Sequence, residues 1–295
     1  MKRYRCISVT ARGLFCLLLT FLLIKTADVP IQTAAQGRPL PILMYHGILK
    51  DPSRGGDYVI SPQLLESDLA FLKSRGYTSL LPSELYEAVT KGEDLPPKPV
   101  MITFDDGFLN NLTYGLPLLE KYDMKATVAV VGSYSERFSD TPDPNPAYAH
   151  LSWDDITELT QSGRVEIANH SYDMHKKEGR KGTRRKFGED EADYYAALVQ
   201  DIGKTQSLLE QHCGIVPTAF AYPYGSISRE SVAVLQEMGF NVLFTCSEKL
   251  NMINGEVDQL LSLGRFNRPN GISTERFMKK LGINSPNYPL DGFGI

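Results

Sequence analysis

Cysteine and tryptophan are scarce in this chain, with 4 Cys and 1 Trp among 295 residues. Cys6 and Cys16 belong to an N-terminal leader, so the body keeps Cys213 and Cys246 alone. Two cysteines 33 positions apart match no cysteine-based zinc pattern. Export would permit a disulfide between them, but two free thiols packed as small hydrophobes are expected. Any metal must therefore be held by His and carboxylate. Excess positive charge is missing too. Of 31 Lys+Arg and 35 Asp+Glu, five basic residues and one acid lie in residues 1–35, leaving 26 against 34, a net charge of −8. That balance gives no support to nucleic acid as a partner. No low-complexity tract and no repeat of fixed period is present, which excludes a solenoid or propeller.

The chain also lacks an apolar run of bilayer length. Lys2, Arg3, Arg5 and Arg12 form a basic head, followed by an apolar stretch at 13–24 that ends at Lys25. Twelve residues make a helix of about 18 Å, short of a hydrocarbon core of about 30 Å. This pattern reads as a secretory signal peptide, with Thr33-Ala34-Ala35 as a cleavage site. The competing reading is an uncleaved signal anchor. Either way the body is expected outside the cytoplasmic membrane, touching it only through the N-terminal segment. The domain layout is then a leader at 1–35, a Pro- and Gly-containing linker at 36–41, one domain at 42–282 and a tail at 283–295.

Within the domain, short apolar runs recur at 42–45, 100–104, 126–131, 165–168, 218–221, 242–245 and 261–266. Segments of helical periodicity lie between them, at 83–90, 113–122, 152–162, 191–211 and 228–238. An earlier one opens at Ser61-Pro62, an N-cap followed by Pro at the first helical position. Strand and helix alternating about seven times is a parallel α/β architecture. Runs apolar on both faces fit strands covered on both sides. If such a sheet closes into a barrel, chemistry belongs at the C-terminal strand ends.

The conspicuous polar residues lie there. Thr103-Phe104-Asp105-Asp106-Gly107 puts two carboxylates at the end of the second run. Both must be solvated, paired or bound to a cation, and the alternative is a plain Asp-Asp-Gly turn. Asn169-His170 closes the fourth run, and His175 follows five positions later. On a helix that spacing is about 140° around the axis, so the two His converge only if His175 lies on an irregular loop. Read alone they are two surface histidines; with Asp106 they become two His and a carboxylate, the ligand set of a hydrolytic metal site. His46, ending the first run, is a turn residue or, beside a metal, a proton donor. In Tyr222-Pro223-Tyr224-Gly225 the aromatics are either core or stacking surfaces for a sugar ring. A basic run from Lys176 to Lys186 reads as a solvated loop, or as a mobile rim for an anionic wall polymer or membrane surface.

In this order, the segments 103–107, 169–175 and 222–225 resemble the NodB-type polysaccharide deacetylases (carbohydrate esterase family 4). The Leu43-Met44-Tyr45-His46 opening and the His–His spacing resemble the poly-N-acetylglucosamine deacetylase branch. The likeness covers roughly residues 40–282. It implies a single-domain distorted (β/α)7 barrel and a divalent cofactor, most simply Zn2+, held by Asp106, His170 and His175. Asp105 would be the general base and His46 the general acid, since the family's C-terminal Leu-x-x-His is missing. The backbone N–H of Tyr224 would hold the oxyanion, with Tyr222 and Pro223 beside the substrate. The implied reaction is removal of N-acetyl groups from an extracellular amino-sugar polysaccharide by a monomeric enzyme. Peptidoglycan deacetylase and O-acetyl-xylan esterase share the same centre. A non-catalytic carbohydrate-binding protein is disfavoured because both Asp and both His are kept. The sequence departs from the family twice. Ala221 stands where many members have an Arg orienting the base, and the late acetyl-pocket Trp is missing. Arg265, on the last run, is the candidate for the Arg function.

Overall fold

The computed structural model describes residues 37–176 and 180–283; the leader lies outside the described residues. Seven parallel strands follow one another: β1 (Ile42–Tyr45), β2 (Pro99–Phe104), β3 (Ala126–Val130), β4 (Val165–Asn169), β5 (Ala219–Ala221), β6 (Val242–Phe244) and β7 (Phe266–Asn267). Their order in the sheet is β6-β5-β4-β3-β2-β1-β7. Each strand from β1 to β5 pairs with its successor and β7 pairs with β1, so the chain winds in one direction and curls into the expected distorted barrel. A doubly wound sheet would reverse direction partway.

Period-two alternation sorts the side chains. One face of the sheet gives Ile42, Met101, Ala129, Ala168, Ala219, Ala221, Val242 and Phe244 to a core inside the curl. The other gives Leu43, Tyr45, Val100, Ile102, Phe104, Val128 and Ile167 to the layer beneath the helices. Both faces are buried, which is why these runs read as apolar throughout. Continued past the strand ends, the same alternation carries Asp105 and His170 to the inner side.

Helices Pro62–Ser74, Pro82–Lys91, Trp153–Gln161, Glu191–Cys213 and Arg229–Glu237 fall where periodicity places them. The Ser61 side chain accepts from Leu64 N, as an N-cap should. The segment expected as one helix at 113–122 is a wide π turn, Asn111–Gly115, followed by the helix Leu116–Lys121. Helices Gly132–Asp140 and Thr274–Lys280 were not legible from periodicity.

Three sequence boundaries need correction. Arg38–Leu40, read as linker, is a strand paired antiparallel with Asn251–Ile253. Ile283, assigned to the tail, is 1% exposed and belongs to the core. The run at 261–266 is not one strand: Val257–Ser262 is a 3-10 helix, and the strand begins only at Phe266. The stretch between closes the barrel. Leu263 N donates to Leu243 O of β6 at 2.9 Å, whereas Phe266 lies opposite Leu43 of β1. Gly264 permits the crossing, because a Cβ there would stand 2.5 Å from the Ser247 carbonyl oxygen. On the β1–β7 side, buried Asp68 accepts from Arg268 (2.7 and 3.1 Å), Tyr45 Oη (3.0 Å) and Thr274 Oγ1 (2.6 Å).

Candidate metal centre

Asp105 and His170 are held as continuations of their strands. Asp105 N donates to Tyr45 O at 2.9 Å, and His170 N donates to Val130 O at 2.9 Å. The chain then reverses. Asp106 has φ of 70° and Ser171 of 69°, a left-handed conformation that costs most residues other than Gly of order 1–3 kcal/mol. The reversal after Asp105 is what lets adjacent carboxylates face different partners. It is held by His150, whose Nδ1 donates to the Asp106 carbonyl at 2.8 Å. Phe108 and Tyr134 pack on the His150 ring at 4.6 and 4.5 Å. His150 was missed in the sequence, where it stands alone before a helix cap with no ligand spacing around it.

Asp106 Oδ1 lies 3.2 Å from His175 Nε2 and 3.6 Å from His170 Nε2, and the three ligand atoms are all within 4.8 Å of one another. Donors each 2.0–2.2 Å from one tetrahedral ion stand about 3.3–3.6 Å apart. The two Asp106 contacts match that, and the half-buried His175 has room to adjust. Oδ1 is buried without a hydrogen-bond partner, an unpaired acceptor that a cation would satisfy. His170 Nδ1 donates to Ala221 O at 2.7 Å, which leaves the Nε2 lone pair facing Asp106. Burial alone would neutralise this group of charges. For His170, contact with Asp106 and the field of both carboxylates outweigh it and raise the pKa. For Asp106, the neighbouring imidazoles outweigh it and hold the carboxyl well below its usual range. Both directions mark a site whose field favours positive charge between its donors.

His175 converges on Asp106 because its loop is fastened at several points. Asp201 accepts from Tyr172 N (2.8 Å) and Asp173 N (3.0 Å), and Gly132 N donates to Ser171 O (3.0 Å). Tyr224 stacks on the His175 ring at 4.7 Å and donates its hydroxyl to the His175 carbonyl at 2.9 Å. Tyr222 and Pro223 do not fit the place expected for them beside a substrate. Tyr222 is 0% exposed and packs edge-on against Phe220, and Pro223 is buried at the turn. Both are core, and Tyr224 alone of the three reaches solvent, with 40% of its surface exposed.

Asp105 faces the barrel interior and meets Arg265. The guanidinium donates to both carboxylate oxygens, at 2.6 and 2.8 Å, and also to Thr245 O at 3.0 Å and Thr103 Oγ1 at 3.2 Å. Arg265 thus meets Asp105 through both oxygens, as its candidacy for the missing family Arg requires. Ala129, Ala168 and Ala221 line the same interior, and their small side chains leave room for it. Burial opposes the charge on Asp105, but Arg265 outweighs it and lowers the pKa. Arg265→Met should destabilise the fold by about 3–5 kcal/mol, since it strands a buried carboxylate. Urea unfolding checks this; a loss below about 1 kcal/mol would mean that Asp105 finds other solvation.

His46 follows β1 and is half-buried, with its carbonyl accepting from Asn111 Nδ2 at 2.9 Å. Its Nδ1 is buried without a partner. Burial lowers its pKa, with Asp105 and Asp106 pulling the other way, so His46 shares their electrostatic environment. Cys213 and Cys246 are both free, and half-buried rather than buried. The basic run is fastened on its C-terminal side: Arg180 pairs with Glu189, Thr183 Oγ1 donates to Ser226 O at 2.6 Å, and Lys181 lies over the Tyr224 ring at 4.8 Å.

A sequence profile described as polysaccharide deacetylase matches residues 92–243. The poly-beta-1,6-N-acetyl-D-glucosamine N-deacetylase of Escherichia coli (strain K12) is 26% identical over 238 residues, covering 74% of this chain and 34% of that protein. The chain thus spans about a third of the length of that relative. Among solved structures, IcaB from Ammonifex degensii superposes with a TM-score of 0.67 at 25% identity, covering 84% of this chain and 97% of that one. A de-N-acetylase from Aggregatibacter actinomycetemcomitans gives 0.67 at 25% identity, with 82% and 99% covered.

Proposed function

The chain belongs to the polysaccharide deacetylase family, and on that premise we propose that it hydrolyses N-acetyl groups from a poly-β-1,6-N-acetylglucosamine-like polymer outside the cytoplasmic membrane. The observation that carries this reading is the division of labour between two adjacent carboxylates. Asp106 turns to two imidazoles, and Asp105 is locked on Arg265. A lone binding surface for sugars has no use for that division.

In this reading Asp106, His170 and His175 hold a divalent ion, with zinc the natural occupant of a two-His, one-carboxylate set. Such an ion, when bound, polarises the amide carbonyl and acidifies water. Asp105, kept ionised and oriented by Arg265, accepts the proton of the attacking water. His46 protonates the sugar nitrogen, without which an amine is a poor leaving group. The Tyr224 backbone N–H supports the negative charge that develops on the carbonyl oxygen. The basic, apolar leader supports export, and we take the protein to act as a monomer.

Acetate release from β-1,6-linked N-acetylglucosamine oligomers, peptidoglycan fragments and acetylated xylan, each with and without chelator, tests the reading. Chelator-sensitive release from the first substrate is expected; release from xylan alone would replace the amide reading with an esterase. Asp105→Asn should keep its zinc and lose turnover by a factor of about 10² or more, whereas Asp106→Asn should lose zinc. Equal zinc loss in both variants would show the pair divided wrongly.

A further inference from the structure

Hydrolysis of an N-acetyl group changes the charge of the polymer. The amide carries none, whereas the primary amine it leaves takes up a proton and is a cation at neutral pH. A site that works along such a chain meets both neutral and cationic sugars, and any fixed charge at its rim ranks them. One such charge stands beside the metal centre. Lys181 lies opposite the ligand His175 in an isolated antiparallel bridge, and residues directly opposite in such a pair send their side chains to the same side. Both side chains reach the Tyr224 ring, whose centroid is 4.7 Å from that of His175 and 4.8 Å from Lys181 Nζ.

The Lys181 backbone is fixed. Gly182 N donates to Met174 O at 2.9 Å, Ser226 Oγ to Lys181 O at 3.4 Å and Thr183 Oγ1 to Ser226 O at 2.6 Å. Gly182 has φ of 69°, and a Cβ there would stand 2.7 Å from the Pro223 carbonyl oxygen. The segment therefore lies hard against the turn that carries Tyr224. Nearby cations have carboxylate partners, Lys176 in Asp173 and Arg180 in Glu189. Lys181 forms no ion pair among the described residues, and Arg184, Arg185 and Lys186 continue the basic run at exposed positions. An ammonium held against a ring acts on a second cation through less water than one free in solution. Its field reaches about 8–10 Å at physiological salt, enough to cover the sugars around the reacting one.

We propose that Lys181 determines specificity by charge: it disfavours cationic glucosamine around the reacting N-acetylglucosamine, so that acetyl groups are removed at spaced positions along the polymer. The proposal rests on the deacetylase reading for the identity of the polymer, but its test does not need turnover. The ligands are the β-1,6-linked N-acetylglucosamine pentamer and glucosamine pentamer. Each is titrated calorimetrically at pH 6.5 into zinc-loaded Asp105→Asn protein, on which the acetyl groups stay in place. The quantity read is the ratio of the two affinities. Adding Lys181→Met should lower the preference for the acetylated pentamer about fivefold, and Lys181→Arg, which keeps the charge, should stay within about twofold. In 1 M NaCl, where the screening length falls to about 3 Å, the Lys181→Met effect should shrink below about twofold. An unchanged ratio, an effect that persists in high salt, or no binding of either pentamer would overturn the proposal. Equal weakening of both ligands leaves the ratio unchanged and would make Lys181 a prop for Tyr224. Acetate release by the wild-type protein is scored separately. A protein whose ratio shifts in Lys181→Met yet which releases no acetate keeps the charge selection and loses the deacetylase reading.

Discussion

The double variant His170→Ala/His175→Ala is expected to hold less than a tenth of an equivalent of zinc and to lose turnover by about 10³-fold or more, with its fold retained. The size follows from several kcal/mol of charge stabilisation supplied by a bound ion, at 1.36 kcal/mol per factor of ten. Asp106 alone offers one ligand, and no other His or carboxylate among the described residues joins it in a ligand cluster. The structural cost is modest. His175 is half-buried and its loop is fastened through backbone bonds to Asp201. Removing His170 frees the Ala221 carbonyl, at about 1–3 kcal/mol for a buried acceptor left unpaired. Metal content by mass spectrometry, circular dichroism and acetate release decide the matter together. Stoichiometric zinc in the double variant would sink the ligand assignment, whereas loss of the folded spectrum would shift the test to His175→Ala alone.

His46→Ala should separate two kinds of substrate. On N-acetylglucosamine oligomers kcat/KM should fall by about 10²–10⁴, the usual worth of a positioned acid. Turnover of nitrophenyl acetate should fall far less, because nitrophenolate leaves without a proton and a sugar amine does not. Zinc content should stay near one equivalent, since His46 is outside the ligand cluster. Asp105 and Asp106 nonetheless act on its charge, opposing the effect of burial. Equal losses on amide and ester with zinc retained would assign His46 a positional role. An undamaged amide rate would pass the proton-donor role to another group.

Much of this was legible in the chain itself. Strands covered on both sides leave runs with no polar face, so β1 to β6 showed themselves as short apolar blocks. Caps such as Ser61 and Ser152 act within three residues, and so mark helix starts locally. Asp105, Asp106 and His170 were visible because each sits where an apolar run stops, and His175 because it follows His170 five positions later. What stayed hidden depends on distant partners. The run at 261–266 has the composition of a strand, yet its two halves serve different neighbours, β6 and then β1, a division no local pattern encodes. Arg38–Leu40 carries no apolar pattern of its own and becomes a strand by pairing with Asn251–Ile253, more than 200 positions away.

The sequence by itself determined the alternation of strand and helix, the positions of the chemical groups at strand ends and the exclusion of a cysteine-bound metal, because each follows from residue type and short-range periodicity. Only the tertiary structure decided which partner each group takes. The left-handed turn at Asp106, held by His150 from 44 positions away, sends two adjacent carboxylates to different tasks. Curling of the sheet brings Arg265 across the barrel to Asp105, 160 positions distant, and buries Tyr222 while leaving Tyr58 and Tyr224 in solvent. A side chain's type sets what it can bind. Which group it meets is set by the closure of the barrel, and closure belongs to the whole chain.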